Sequence, residues 1–319
     1  MTKGHTQLQT TESTDEQSAR AVLMIRPFRF YPNPETASDN AFQREAAAAD
    51  TDTISSAAQS EFDQAVESLR GAGVTVHVFE DTASPEKPDA VFPNNWFSTH
   101  PDGRVALYPM YSPTRRNERR RDVIDELGKI YRISTLVDYS SYEQSGLHLE
   151  GTGSLVLDYV NRIAYVSLSK RSDRALVERF CQDFNFEPVL FESLGDDGRP
   201  IYHTNVMMCV GSEFALIGLD LIVDARQRET VRRRLESSGK KVIELERNQI
   251  ANFAGNALEL RNDSENLLVL STRGAEALTM EQRREIERHA RLLPLSLPTI
   301  ELAGGSARCM LAGIHLPRL

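Results

Sequence analysis

Cysteine is scarce in this chain. The three present, Cys181, Cys209 and Cys309, are too few and too widely spaced for a disulfide framework or a Cys-x-x-Cys metal site, so a reducing, cytoplasmic setting is expected. Long hydrophobic runs are also missing. The best candidate, Phe214 to Val223, is broken by Gly218 and Asp220, well short of the roughly 20 apolar residues a bilayer-spanning helix needs. Positive charge is in deficit: 37 Lys plus Arg against 46 Asp plus Glu give a net charge of −9. An acidic chain without a basic domain repels phosphate backbones, which sets nucleic acid aside as a partner. No phosphate-binding glycine loop or dinucleotide fingerprint is found, and the histidine spacing suggests no metal site. Met1 to Arg20 lacks the apolar h-region of a secretory signal and is rich in Thr, Ser, Glu and Gln, so residues 1–20 read as a flexible tail.

What is present is ample core material, 40% hydrophobic residues with 26% charged, in a repeating order. From Ala21 onward the pattern strand, strand, helix, strand recurs five times. In the first unit, Val22 to Arg26 precedes a long polar loop and a helix with Phe62, Ala65, Val66 and Leu69 at i, i+3, i+4 and i+7. In the second, Pro101-Asp102-Gly103 is the turn between two strands. The third places Cys181 on the apolar face of a helix, and the fourth places Cys209 on an apolar strand and five arginines between Arg226 and Arg234 on a solvated helix face. The fifth predicts a helix from Met280 to Leu292 and a final strand near Leu297 to Leu302. Units of about 60 residues cannot each bury their own apolar face, so residues 21–319 are expected to close into one domain. The expected fold class is α/β, a fivefold pseudosymmetric propeller of ββαβ modules with the first strand of each unit innermost.

In such a ring, residues at matching strand ends meet at the axis. Near the first inner strand of units two to four, and in the closing loop, stand Asn94 and Asn95, then Glu150, His203 and Cys309, at successive gaps of 55, 53 and 106. Cys, His and a carboxylate are the parts needed for nucleophilic attack, leaving-group protonation and histidine orientation. Cys309 follows a flexible Gly304-Gly305-Ser306-Ala307-Arg308 turn, where an exposed, reactive thiol is expected, with His203 and Arg308 as candidates to lower its pKa.

At these residues the chain resembles the guanidine-modifying enzyme superfamily of arginine deiminases, dimethylarginine dimethylaminohydrolases and amidinotransferases. The resemblance rests on Gly304-Gly305-Ser306-Ala307-Arg308-Cys309, Glu150-Gly151-Thr152-Gly153 and His203-Thr204-Asn205. It implies a fivefold α/β propeller, with Cys309 as nucleophile and His203 and Glu150 as its catalytic partners. One departure is informative. Where relatives that act on guanidines clamp the cation with acidic residues, this chain has Asp89-Ala90-Val91-Phe92-Pro93-Asn94-Asn95, and Asn205 stands two residues after the histidine. Neutral amides suit a ureido group better than a guanidinium. The segments Pro93-Asn94-Asn95-Trp96-Phe97-Ser98 and Gly304 to Met310 look most like the citrulline-utilisation branch. The expectation is therefore a citrulline ureidase without metal or organic cofactor. Asn94, Asn95, Asp89 and Asn205 would contact the substrate, and Arg26 its carboxylate, with the loop Tyr31 to Gln43 as a candidate lid. The alternatives are a guanidine deiminase or amidinotransferase in which Asp89 replaces the clamp, or a non-catalytic binder of such amino acids. The expected partner is a small amino-acid substrate, with no nucleic acid and no membrane; a homo-oligomer is compatible with the sequence.

Overall fold

The computed structural model describes residues 16–44 and 50–319. These form five three-stranded sheets, each built on one plan. The sheets are β3 (Phe97–Thr99), β4 (Arg104–Leu107) and β5 (Thr135–Asp138); β6 (Val156–Asp158), β7 (Ile163–Ser167) and β8 (Glu187–Phe191); β9 (Met208–Val210), β10 (Phe214–Ile217) and β11 (Lys241–Glu244); and β12 (Leu258–Arg261), β13 (Asn266–Ser271) and β14 (Arg291–Leu295). The first sheet is made from both ends of the described chain, with β1 (Ala21–Arg26) between β2 (Thr75–Glu80) and β15 (Ala312–Ile314). In every sheet the inner pair is antiparallel and the outer pair parallel. A parallel pair requires a crossover, and a helix supplies it in each unit: Thr51–Gly71, Arg121–Leu127, Arg174–Phe184, Ala225–Ser237 and Met280–Glu287.

The middle strands show why the units depend on one another. Along β1, Ala21, Leu23 and Ile25 pack towards Phe97, Val105 and Leu107 of the next sheet, while Val22 and Met24 pack towards Leu267 and Val269 of the preceding one. Side chains alternate with period two, so a strand buried on both faces reads as an unbroken apolar run. The core therefore lies between successive sheets, and no unit owns one. Helix starts are fixed by side-chain caps: Asp50 accepts from Thr53 N at 2.8 Å, and Asp224 from Gln227 N at 2.8 Å.

Three expectations need correction. Residues 1–15 lie outside the described residues, but the rest of the expected tail is ordered: Ser18 and Ala19 are buried, and Ala19 bridges to Leu260. The helix from Met280 ends at Glu287, and the last strand of that unit is β14, not Leu297 to Leu302, where a 3-10 turn spans Ile300–Ala303. Leu293 and Leu295 flank Pro294 in β14; a proline is tolerated there because β14 is an edge strand. No helix among the described residues is long and apolar enough to cross a membrane.

Candidate active site

Four of the five inner strands are entered through a short helical turn: Pro93–Asn95 before β3, Gly151–Ser154 before β6, Thr204–Val206 before β9 and Ala307–Met310 before β15. These turns carry Asn94 and Asn95, begin at Glu150 and at His203, and contain Cys309, so the repeat brings all of them together at one end of the ring. Two close approaches depend on glycine. A Cβ on Gly153 would lie 2.2 Å from Asn95 Nδ2 and 2.8 Å from His203 Nδ1, and one on Gly151, at φ +47°, would lie 2.4 Å from Asn94 O.

A small cavity opens on this end, lined by Asp89, Asn95, Arg115, Arg171, His203 and Cys309, with Thr36 and Asn40 from the loop above. Cys309 is only 2% exposed, so the exposed thiol expected from the glycine-rich turn is instead a buried one facing an internal cavity. The polar atoms at its sulfur are amides: Asn256 Nδ2 at 3.3 Å and Asn205 Oδ1 at 3.9 Å. Neither residue proposed to tune the thiol bonds it directly. Arg308 donates to Leu311 O at 2.8 Å and Thr152 O at 3.5 Å, and His203 Nε2 bonds Glu150 Oε2 at 2.8 Å. The other two cysteines are core residues whose thiols burial pushes up to about 12.

Glu150 is fully buried, and burial alone would raise its pKa. Arg171 Nη1 at 3.5 Å, His203 and Arg115 Nη1 at 3.6 Å outweigh that and hold the carboxyl well below the usual carboxylate range. Its other oxygen accepts from Tyr111 N at 2.9 Å. Burial lowers His203 to about 4 against the pull of Glu150, so the resting imidazole is neutral at pH 7 beside an ionised carboxylate. Asp89 lines the cavity, accepts from Asn33 Nδ2 at 2.8 Å and lies 3.7 Å from Arg115 Nε; burial raises it. Arg115 also forks onto Glu118 at 2.8 and 2.9 Å, and burial pushes Glu118 up to about 7.

The asparagines form a web around the nucleophile's turn. Asn94 Nδ2 donates to the Cys309 carbonyl, Asn205 Nδ2 to Asn94 Oδ1 at 3.2 Å, and Arg115 Nη2 to Asn95 Oδ1 at 3.0 Å. Arg26 is not part of the site. It ends β1 in register with Glu80 and forks onto Asp63 at 2.8 and 2.9 Å at the surface, opposite charges on its own strand neighbour and on the crossover helix having claimed it. Arg115, Arg171, Asp39 and Asn256 were not foreseen. The arginines sit in charge-rich stretches that read as solvated surface, but Asn256 had a signal: Glu150, His203, Asn256 and Cys309 are each 53 residues apart.

The family model that matches this ring of five ββαβ units describes a hydrolase of the guanidino-group-modifying superfamily, acting on a C–N bond. The chain belongs to the N,N dimethylarginine dimethylhydrolase family: the model described as N,N dimethylarginine dimethylhydrolase, eukaryotic, matches residues 26–316. No curated protein sequence matches the chain. Among solved structures, it resembles the substrate-bound N-terminal domain of ArgZ, an arginine dihydrolase from the ornithine-ammonia cycle in cyanobacteria, with a TM-score of 0.71 at 17% identity over 94% of this chain and 99% of that one. It spans 41% of the whole ArgZ chain, at a TM-score of 0.72 and 16% identity over 94% of its own length. A dimethylarginine dimethylaminohydrolase adduct with S-methyl-L-thiocitrulline is similar at a TM-score of 0.60 and 11% identity, over 94% of this chain and 100% of that one. At these identities the likeness is one of fold.

Proposed function

We propose that this chain hydrolyses the ureido group of citrulline to ornithine, ammonia and carbon dioxide through a covalent thioester-like intermediate. The observation that carries this reading is the state of the carboxylates at the cavity. Each already has an arginine within 4 Å: Asp89 and Glu118 share Arg115, Asp39 pairs with Arg171, and Glu150 meets both. A guanidinium would have to displace one of these cations to be neutralised, whereas a neutral ureido group needs only donors and acceptors, which the asparagine amides supply.

In this mechanism Cys309 Sγ forms a bond to the ureido carbon as its proton passes to His203, and the imidazolium is stabilised by Glu150. The tetrahedral adduct collapses with cleavage of the bond to the ornithine nitrogen, which takes the proton from His203 and leaves. Water, deprotonated by His203, attacks the S-carbamoyl carbon; the C–S bond breaks, the thiol recovers the proton, and carbamate falls apart to ammonia and carbon dioxide. The substrate carboxylate takes the fork of Arg171, which Asp39 occupies bidentately at 2.8 and 2.8 Å.

Asp89 supports a second reading, in which arginine is the substrate, because its carboxylate lines the cavity and is bound less closely by Arg115 than Glu118 is. Separate incubations with citrulline, arginine and N,N-dimethylarginine, followed by amino-acid analysis, decide between them. Ornithine from citrulline and no product from the other two is expected; citrulline accumulating from arginine, with no ornithine from citrulline, sinks the ureidase reading.

A further inference from the structure

Asn256 has 0% exposure, precedes β12, and stands 53 residues from both His203 and Cys309. Its side-chain amide is fully engaged, and its orientation is fixed from two sides. The backbone N–H of Arg308 points at Oδ1 from 3.1 Å, so that atom must be the oxygen. The carbonyl of Asn205 lies 2.9 Å from Nδ2, so that atom must be the nitrogen. With one N–H directed to Asn205 O, the second is left for Cys309 Sγ at 3.3 Å.

The same sulfur has Asn205 Oδ1 at 3.9 Å. These two neighbours act in opposite senses: an amide oxygen accepts from S–H and favours the thiol, while an amide N–H donates to S⁻ and favours the thiolate, and the donor is the closer of the two. No carboxylate or arginine among the described residues is within hydrogen-bond distance of the sulfur, and His203 turns its Nε2 to Glu150. We infer that Asn256 is a catalytic residue, its side-chain N–H donating to Cys309 Sγ so as to stabilise the thiolate as it forms when the proton passes to His203, while its Oδ1 anchors the turn that presents it. The inference rests on Cys309 being the nucleophile. It is read on the thiol and not on turnover, so an error in the substrate leaves it standing.

The test is the pH profile of Cys309 alkylation by iodoacetamide in the full chain, followed by mass spectrometry of the Cys309 peptide. Asn256→Asp retains an oxygen for the Arg308 N–H but replaces the donor facing sulfur with an acceptor. Asn256→Ser is a smaller change, should the buried carboxylate prevent folding; thermal melts identify which variants are folded. In a folded variant the alkylation midpoint rises by about one pH unit, so that the rate at pH values below both midpoints falls about tenfold and rejoins the wild-type rate above the new midpoint. A midpoint that does not move, or a rate reduced by one factor at every pH, overturns the inference, because a loosened turn slows attack without changing thiol acidity.

Discussion

Gly153 shows how little tolerance the site has. With the Asn95 amide and the His203 ring both inside the space a methyl group would fill, Gly153→Ala must displace one of them. Overpacking of this kind costs about 1–3 kcal/mol of stability, and a 1 Å shift of a catalytic group costs on the order of 100-fold in rate. The expected result is a folded protein, by thermal melt, with at least that loss of kcat. His203 carries a second prediction at this scale. Its folded pKa of about 4 lies below the unfolded value near 6.5, so between these pH values the unfolded chain binds the extra proton and stability falls as pH falls. Glu118, raised to about 7, acts in the opposite direction, because the folded state holds its proton first. The His203 share is therefore read as a difference. In denaturant titrations the advantage of wild type over His203→Gln should shrink by roughly 2 kcal/mol from pH 6.5 to 4.5; a constant difference would mean that folding leaves the His203 pKa unchanged, and a growing one that the folded state holds it protonated.

At the scale of the element, the loop Tyr31 to Gln43 lends Thr36 and Asn40 to the lining of the site. It is stitched down by Asn33 to Asp89, Asn40 Nδ2 to Ala303 O at 3.0 Å and the Asp39 fork on Arg171. If Asp39 holds the place of a substrate carboxylate, Asp39→Asn frees that place. KM for citrulline should then fall several-fold with kcat little changed, and proteolysis within the loop should become faster. A rise in KM would show instead that Asp39 belongs to the closed substrate pocket. At this scale the sequence was legible where apolar periodicity or turn chemistry was strong. Phe62 to Leu69 and Asp102-Gly103 are such cases, because each signal is local. It was silent on Arg115 and Arg171, whose burial is created by Asp39, Glu118 and Glu150 arriving from other parts of the chain; an arginine carries no mark of the partner it will find. Asn256 was legible in principle, because the repeat that picked out Glu150 and His203 passes through it at the same step.

At the scale of the molecule, the ring was readable because five copies of one order of elements cannot stand alone. How it closes was not readable, since β15 is a three-residue strand whose pairing with β1 joins Ala21 to Ile314. Removing residues 312–319 takes away the inner strand of the first sheet, along with Ala312, Ile314 and Leu316 from the core between the first two sheets. The shortened chain is expected to lose its cooperative melt and to elute as an expanded or aggregated species; a normal melt would show that four complete sheets suffice.

That closure has a consequence in time. Cys309 lies three residues before β15 in the chain, so the segment that completes the ring is also the one that seats the thiol beside the amides of Asn205 and Asn256, with Asn94 holding its backbone carbonyl. A folding intermediate with four sheets formed would hold Glu150 and His203 but no nucleophile in place. Catalytic competence then arrives in the same step as the longest-range contact, the one with the highest loop-closure cost, and a half-built ring has no seated thiol with which to attack the metabolites around it.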